Sequence, residues 1–94
     1  MKKVKIFKSV GGFAENKDIA QTLRKDIIVP ALEKGEEIVL DFDEVEAVTQ
    51  SFIHALISDL MRNYDNTLDL VSFKNCNNTV KKIIEIVTDY MQES

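Results

Sequence analysis

Glu37-Ile38-Val39-Leu40-Asp41-Phe42 is a short, near-continuous apolar run rich in branched side chains, the pattern of a strand covered on both faces. It is the most uniformly apolar of the three stretches that read as strands, which places it in the middle of a sheet. The loop Asp43-Glu44-Val45-Glu46-Ala47-Val48 follows and leads to a helix that Thr49 or Ser51 can cap, because a hydroxyl there accepts a free backbone amide of the first turn. Phe52, Ile53, Leu56, Ile57, Leu60 and Met61 then recur as one broad apolar stripe, while His54, Ser58, Asp59, Arg62 and Asn63 face away.

Toward the N-terminus, residues 3–8 alternate charge with hydrophobe, as a half-buried strand does. Lys2, Lys3, Lys5 and Lys8 fit the solvent face of an edge strand, where charge discourages strand-to-strand pairing. Ser9-Val10-Gly11-Gly12-Phe13 breaks the pattern. Asn16 then caps a helix with Asp18 in its favourable first turn. Ile19, Leu23 and Ile27 step along one face beside Ala20, Ala31 and Leu32, leaving Gln21, Arg24 and Lys25 toward water. Pro30 removes one backbone donor and crowds the preceding turn, so a kink or restart is expected there before Gly35 ends the element.

Toward the C-terminus, Asp65, Asn66 and Thr67 make a turn, and Leu68, Leu70 and Phe73 mark a third strand. Asn75 to Thr79 offers caps for a last helix that buries Val80, Ile83, Ile84, Val87 and Met91. The order β-α-β-α-β-α predicts an α/β fold: a mostly parallel sheet of three to four strands, joined by right-handed crossovers and covered by three helices.

At 94 residues, 45% hydrophobic and 30% charged, the chain is expected to form one domain over residues 1–94 with one core. A net charge of −4 and a pI near 4.9 oppose binding to a phosphate backbone, so no nucleic-acid partner is expected. Cys76 is the sole cysteine, which rules out an intrachain disulfide or a cysteine-built zinc site and fits a reducing compartment. No apolar run approaches the ~18 residues needed to cross a bilayer, and no signal-peptide core opens the chain. A cytoplasmic location without membrane association is the expectation.

The chemistry legible in the residues is sparse. Asp41, Asp43, Glu44 and Glu46 lie just past the carboxyl end of the central strand, the edge where open α/β sheets place ligands. Strand one ends in Lys8-Ser9-Val10 and supplies no acid to complete a magnesium set, so a solvated loop is expected and no metal is assigned. His54 sits one turn beyond Ser51 on the same polar face, but no oxyanion donors or pocket can be identified around the pair. No catalytic residue and no cofactor are assigned, and the chain is read as a non-enzyme. Gly11-Gly12 matches neither the phosphate-loop spacing nor the dinucleotide fingerprint and reads as a turn. Cys76, near the start of the last helix, reads as a small buried residue. An alternative reading, a small-ligand or nucleotide-binding domain, would use the loops after the strands, with Gly11, Gly12, Asp43 and Thr49 as contacts.

The stretch Ile38-Val39-Leu40-Asp41-Phe42-Asp43-Glu44-Val45-Glu46-Ala47-Val48-Thr49-Gln50-Ser51-Phe52 resembles the STAS superfamily, in which a central strand is followed by a short loop and a serine-bearing helix start. It is most similar to the STAS-like branch of short bacterial proteins, where an apolar strand ends in Asp-Phe and a Ser-Phe pair opens the helix. The resemblance runs from about Gly12 to Ile86 and implies a small STAS-like sandwich. In anti-sigma factor antagonists of that superfamily, a serine at this helix start is phosphorylated by a partner serine kinase. Ser51 falls on that phospho-acceptor and Thr49 on the aspartate commonly found two positions earlier. Where those antagonists have Asp-Ser-Ser-Gly, this chain has Thr49-Gln50-Ser51-Phe52, without the acidic neighbour and without the glycine.

The resemblance implies a non-catalytic regulatory module for protein–protein interaction, whose partner face comprises Thr49, Gln50, Ser51, His54 and Ser58. The implied partner is an ATP-binding protein of the histidine-kinase-like ATPase type, or a serine kinase. Phosphate on Ser51 would add about −1.5 to −2 charges and could eject a docked partner without refolding the domain.

Overall fold

The computed structural model describes residues 1–58, 60 and 67–93. Expectations for Asp59, Met61, Arg62, Asn63, Asp65 and Asn66, and for the side chain of Met91, lie outside the described residues and side chains.

Three parallel strands form the main sheet in the order β1-β3-β5. They are β1 (Lys2–Lys5), β3 (Ile38–Asp41) and β5 (Val71–Lys74). The apolar run at residues 37–42 therefore supplies the central strand, as expected, and all four residues of β3 are buried. In register, Val4 lies opposite Leu40 and Leu40 opposite Phe73. A tilted contact between the rings of Phe42 and Phe73, 6.3 Å between centroids, extends the packing past the strand end.

The first strand is shorter than its alternating pattern implies. It stops at Lys5, and Ile6–Val10 turn into a short helix, α1. Gly11 closes that helix with φ 75°, donating its N–H to the Phe7 carbonyl at 2.8 Å. Val4 and Ile6 are buried on either reading, so period-two alternation over six residues could not tell strand from helix, and the glycine decides it.

A second, two-stranded parallel sheet was not expected from the sequence. It pairs β2 (Phe13–Ala14) with β4 (Ala47–Val48), within the segments read as a break and a loop. The Gly12 carbonyl accepts the N–H groups of Glu46 at 2.8 Å and Ala47 at 3.3 Å, and the Ala14 carbonyl accepts the Thr49 N–H at 3.0 Å. Two-residue strands are too short to show a periodicity.

The first long helical segment opens as expected. The Asn16 side chain accepts the N–H groups of Asp18 and Ile19, with Asp18 in the first turn of α2 (Lys17–Leu23). A π-helical turn, Arg24–Ile28, separates α2 from α3 (Val29–Glu33), which carries Pro30 in its first turn. Val29 donates its N–H five residues back to the Arg24 carbonyl, widening the turn before the proline ring that would otherwise crowd it. This is the restart anticipated at Pro30, and it moves the buried stripe by one residue: Ile28 is fully buried while Ile27 is only partly so. At the end of α3, Glu36 donates to the Ala31 carbonyl and Gly35, at φ 71°, to that of Leu32, the paired closure of a Schellman motif.

Beyond β4, α4 (Gln50–Ile57) buries Phe52, Ile53, Ala55, Leu56 and Ile57, each large side chain contributing about 1.5–3 kcal/mol if fully removed from water. The third strand begins later than expected, because Leu68 and Leu70 belong to a helical turn, α5 (Thr67–Leu70), that precedes β5. Two leucines two apart fit a strand only over three residues. The last helix, α6 (Asn78–Glu93), is capped by Asn77, whose Oδ1 accepts the Val80 N–H at 2.8 Å. Val80, Ile84 and Val87 are buried and join the core that also holds Val4, Ile38, Leu40 and Phe52. Among the described residues no helix is long and apolar enough to cross a membrane.

Candidate functional site

Thr49 is the cap of α4. Its hydroxyl oxygen accepts the Phe52 N–H at 3.0 Å, and its own N–H is held by the short sheet through Ala14. Of the two hydroxyls that sequence offers for this role, Thr49 takes it, and Ser51 is left exposed in the first turn with no side-chain hydrogen bond to a described residue.

Ser51 lines a surface groove of about 590 Å³ together with residues from three helices, a volume typical of binding clefts. From α4 come Gln50, Ser51, His54 and Ala55, continued by Ser58 beyond the helix end. Their spacing is that of one helix face. Lys17, Gln21 and Arg24 enter from one face of α2 and the following turn, and Ile86, Val87 and Tyr90 from one face of α6. Helix α4 packs against both neighbours. A polar, small-residue surface thus meets an apolar wall, on which Ile86 is 42% and Tyr90 69% exposed.

Four of the five residues assigned to a partner face, Gln50, Ser51, His54 and Ser58, meet in this groove. Thr49 sits behind them as the cap. No hydrogen bond joins the Ser51 hydroxyl to the His54 imidazole. Sequence reasoning missed the flanking walls. Arg24, read as facing water, donates from Nη1 to the Ala55 carbonyl at 2.9 Å, tying the π turn to α4. Ile86 and Tyr90 stand one turn apart off the buried stripe of α6, and that pair of misplaced apolar residues was the available signal.

The carboxyl end of the central strand is built differently. Asp41, grouped by sequence with a solvated acidic loop, is only 3% exposed. Its Oδ1 accepts the Asp43 N–H and the Asn75 side-chain amide, both at 2.9 Å, and its Oδ2 lies 3.4 Å from the Lys3 ammonium. Lys3 and Asn75 come from the two edge regions of the sheet, and Asp43 from the loop after the central strand. The hydrogen bond from Asn75 first, then those from Asp43 and Lys3, hold the carboxyl below its ordinary range against the opposing effect of burial. Asp43, Glu44 and Glu46 are exposed and, with Phe7, Asn75 and Cys76, line a shallow open hollow.

The proposed ligand contacts do not share one cavity. Asp43 lines that hollow, whereas Gly11, Gly12 and Thr49 line neither it nor the groove. Gly12 is joined by its carbonyl to Glu46 and Ala47. Cys76 is half-buried, and its thiol is pushed up by burial and then by the Asp41 charge, which keeps it protonated. Among the described residues no group of three His, Cys, Asp or Glu side chains is placed to hold a metal ion.

A family model described as a STAS-like domain of unknown function (DUF4325) matches residues 20–81. The chain belongs to this family. The matched span of the STAS-like domain contains β3, β4, α4 and β5, so it covers the 38–52 stretch and Ser51. No curated protein and no solved structure matches the chain.

Proposed function

We propose that this STAS-like domain is a non-catalytic, cytoplasmic regulatory module that docks a partner protein in the groove over α4 and that Ser51 is its switch residue. The observation that carries the reading is the division of labour at the helix start. Thr49 supplies the cap, so the Ser51 hydroxyl has no hydrogen bond to a described residue to lose and stands on the rim of a groove. A kinase acting there would modify an exposed hydroxyl on a surface that needs no unfolding to reach. Phosphate would bring about −1.5 to −2 charges to the groove rim, stabilised by the N-terminus of α4 but altering what can dock.

By family analogy the partner is a histidine-kinase-like ATPase or a serine kinase. The test is affinity capture with tagged wild-type protein, Ser51→Ala and Ser51→Asp from cells that express the domain. Wild type and Ser51→Ala should recover the same ATP-binding protein and Ser51→Asp should lose it. Equal recovery by all three variants, or recovery of no such protein, would falsify the switch.

A further inference from the structure

We infer that the occupant of the groove is an acidic amphipathic helix of the partner protein, held by Lys17 and Arg24 and seated on Ile86 and Tyr90. The inference rests on the docking role proposed above and adds the chemistry of what docks. Overall the chain carries a net charge of −4, yet the described residues lining the groove include Lys17, Arg24 and His54 and not one carboxylate.

Neither Lys17 nor Arg24 has an ion pair with a described residue. Arg24 is also fixed in place, because its Nη1 is bonded to the Ala55 carbonyl at 2.9 Å, while its other guanidinium donors make no bond to a described residue. A planar guanidinium held this way is pre-organised for a carboxylate. Opposite these cations, Ile86 and Tyr90 are one helical turn apart and exposed, an apolar ridge that a phosphate group by itself does not use, while the net charge of −4 opposes a nucleic-acid backbone. Cationic rim and apolar wall together match a helix whose apolar stripe is flanked by Asp and Glu, the helix-in-groove mode of recognition.

The same arrangement gives the Ser51 switch its physical content. Ser51 lines the same groove as these cations, so a phosphate there competes with the partner's carboxylates for Lys17 and Arg24 and repels them.

Fluorescence anisotropy with three labelled probes tests this: two helical peptides with an identical apolar stripe, one flanked by Glu and one by Lys, and a single-stranded DNA. The acidic peptide should bind, weaken as salt rises, and lose affinity by roughly fivefold in Lys17→Glu, the scale of one exposed ion pair. Tyr90→Ala should weaken it as well. Equal or tighter binding of the basic peptide, binding of the DNA in preference to both, or no binding of the acidic peptide would overturn the inference. Any of those results alongside successful, Ser51-sensitive capture of a partner would leave the docking role standing and remove only the acidic helix.

Discussion

The hydroxyl of Thr49 accepts the backbone N–H of Phe52 at 3.0 Å, and this bond makes Thr49 rather than Ser51 the cap of α4. Thr49→Ala should therefore cost about 1 kcal/mol of stability, the usual loss when a hydroxyl cap is removed. Ser51→Ala should stay within about 0.5 kcal/mol of wild type, as exposed substitutions do. Urea unfolding of the two variants checks this. A larger loss for Ser51→Ala than for Thr49→Ala would mean that the roles are reversed.

Asp41, at the carboxyl end of β3, is tied to β1 through Lys3, to the residue after β5 through Asn75 and to its own following loop through Asp43. Because its folded carboxyl titrates below the ordinary value, the stability it contributes is complete above about pH 4 and is lost as pH falls through the lower folded value. Asp41→Asn should lower the unfolding midpoint at pH 6, and the gap to wild type should narrow in acid below pH ~4. A gap that is independent of pH would show that the variant acts by packing alone.

Gly35 closes α3 at φ 71°, in open space where an added Cβ would touch nothing within 4 Å. The cost of Gly35→Ala is thus conformational alone, about 1–2 kcal/mol for an L-residue in the left-handed region. Thermal unfolding should report a lower midpoint. Gly12→Ala has no positive φ to satisfy and only an ordinary 3.8 Å approach to the Glu44 carbonyl, so it should be the milder of the two.

How much of this was legible in the residues depends on the length of the signal each element gives. The central strand at 37–42, the Asn16 cap, the restart at Pro30 and the Gly35 stop are local and strongly patterned, and the structure contains all of them. What escaped were features set by tertiary partners. Residues 6–10 bury Ile6 as helix rather than strand, and Phe13–Ala14 gains its strand character only by meeting Ala47–Val48. Asp41 looked like one of four loop acids because its partners, Lys3 and Asn75, are 38 and 34 positions away.

The groove divides along the same line. Its α4 face was implied by the family resemblance, and four of the residues so named, Gln50, Ser51, His54 and Ser58, share a helical period that keeps them together in the groove. Its walls could not, because nothing local says that the polar face of α2 or the exposed turn at Ile86 and Tyr90 lies beside that face. Arg24 shows the difficulty most sharply. In sequence it is one more cation on a solvent stripe, and only the fold brings it to Ala55.

The most direct measurement is a chemical-shift map of isotope-labelled domain titrated with the captured partner. The groove account predicts that the amides of Gln50, Ser51, His54 and Ala55 shift together with those of Arg24 and Tyr90, while Gly11, Gly12 and Asp43 stay still. Shifts confined to Gly11, Gly12, Asp43 and their neighbours would place recognition outside the groove, at the loops after the strands, and contradict it.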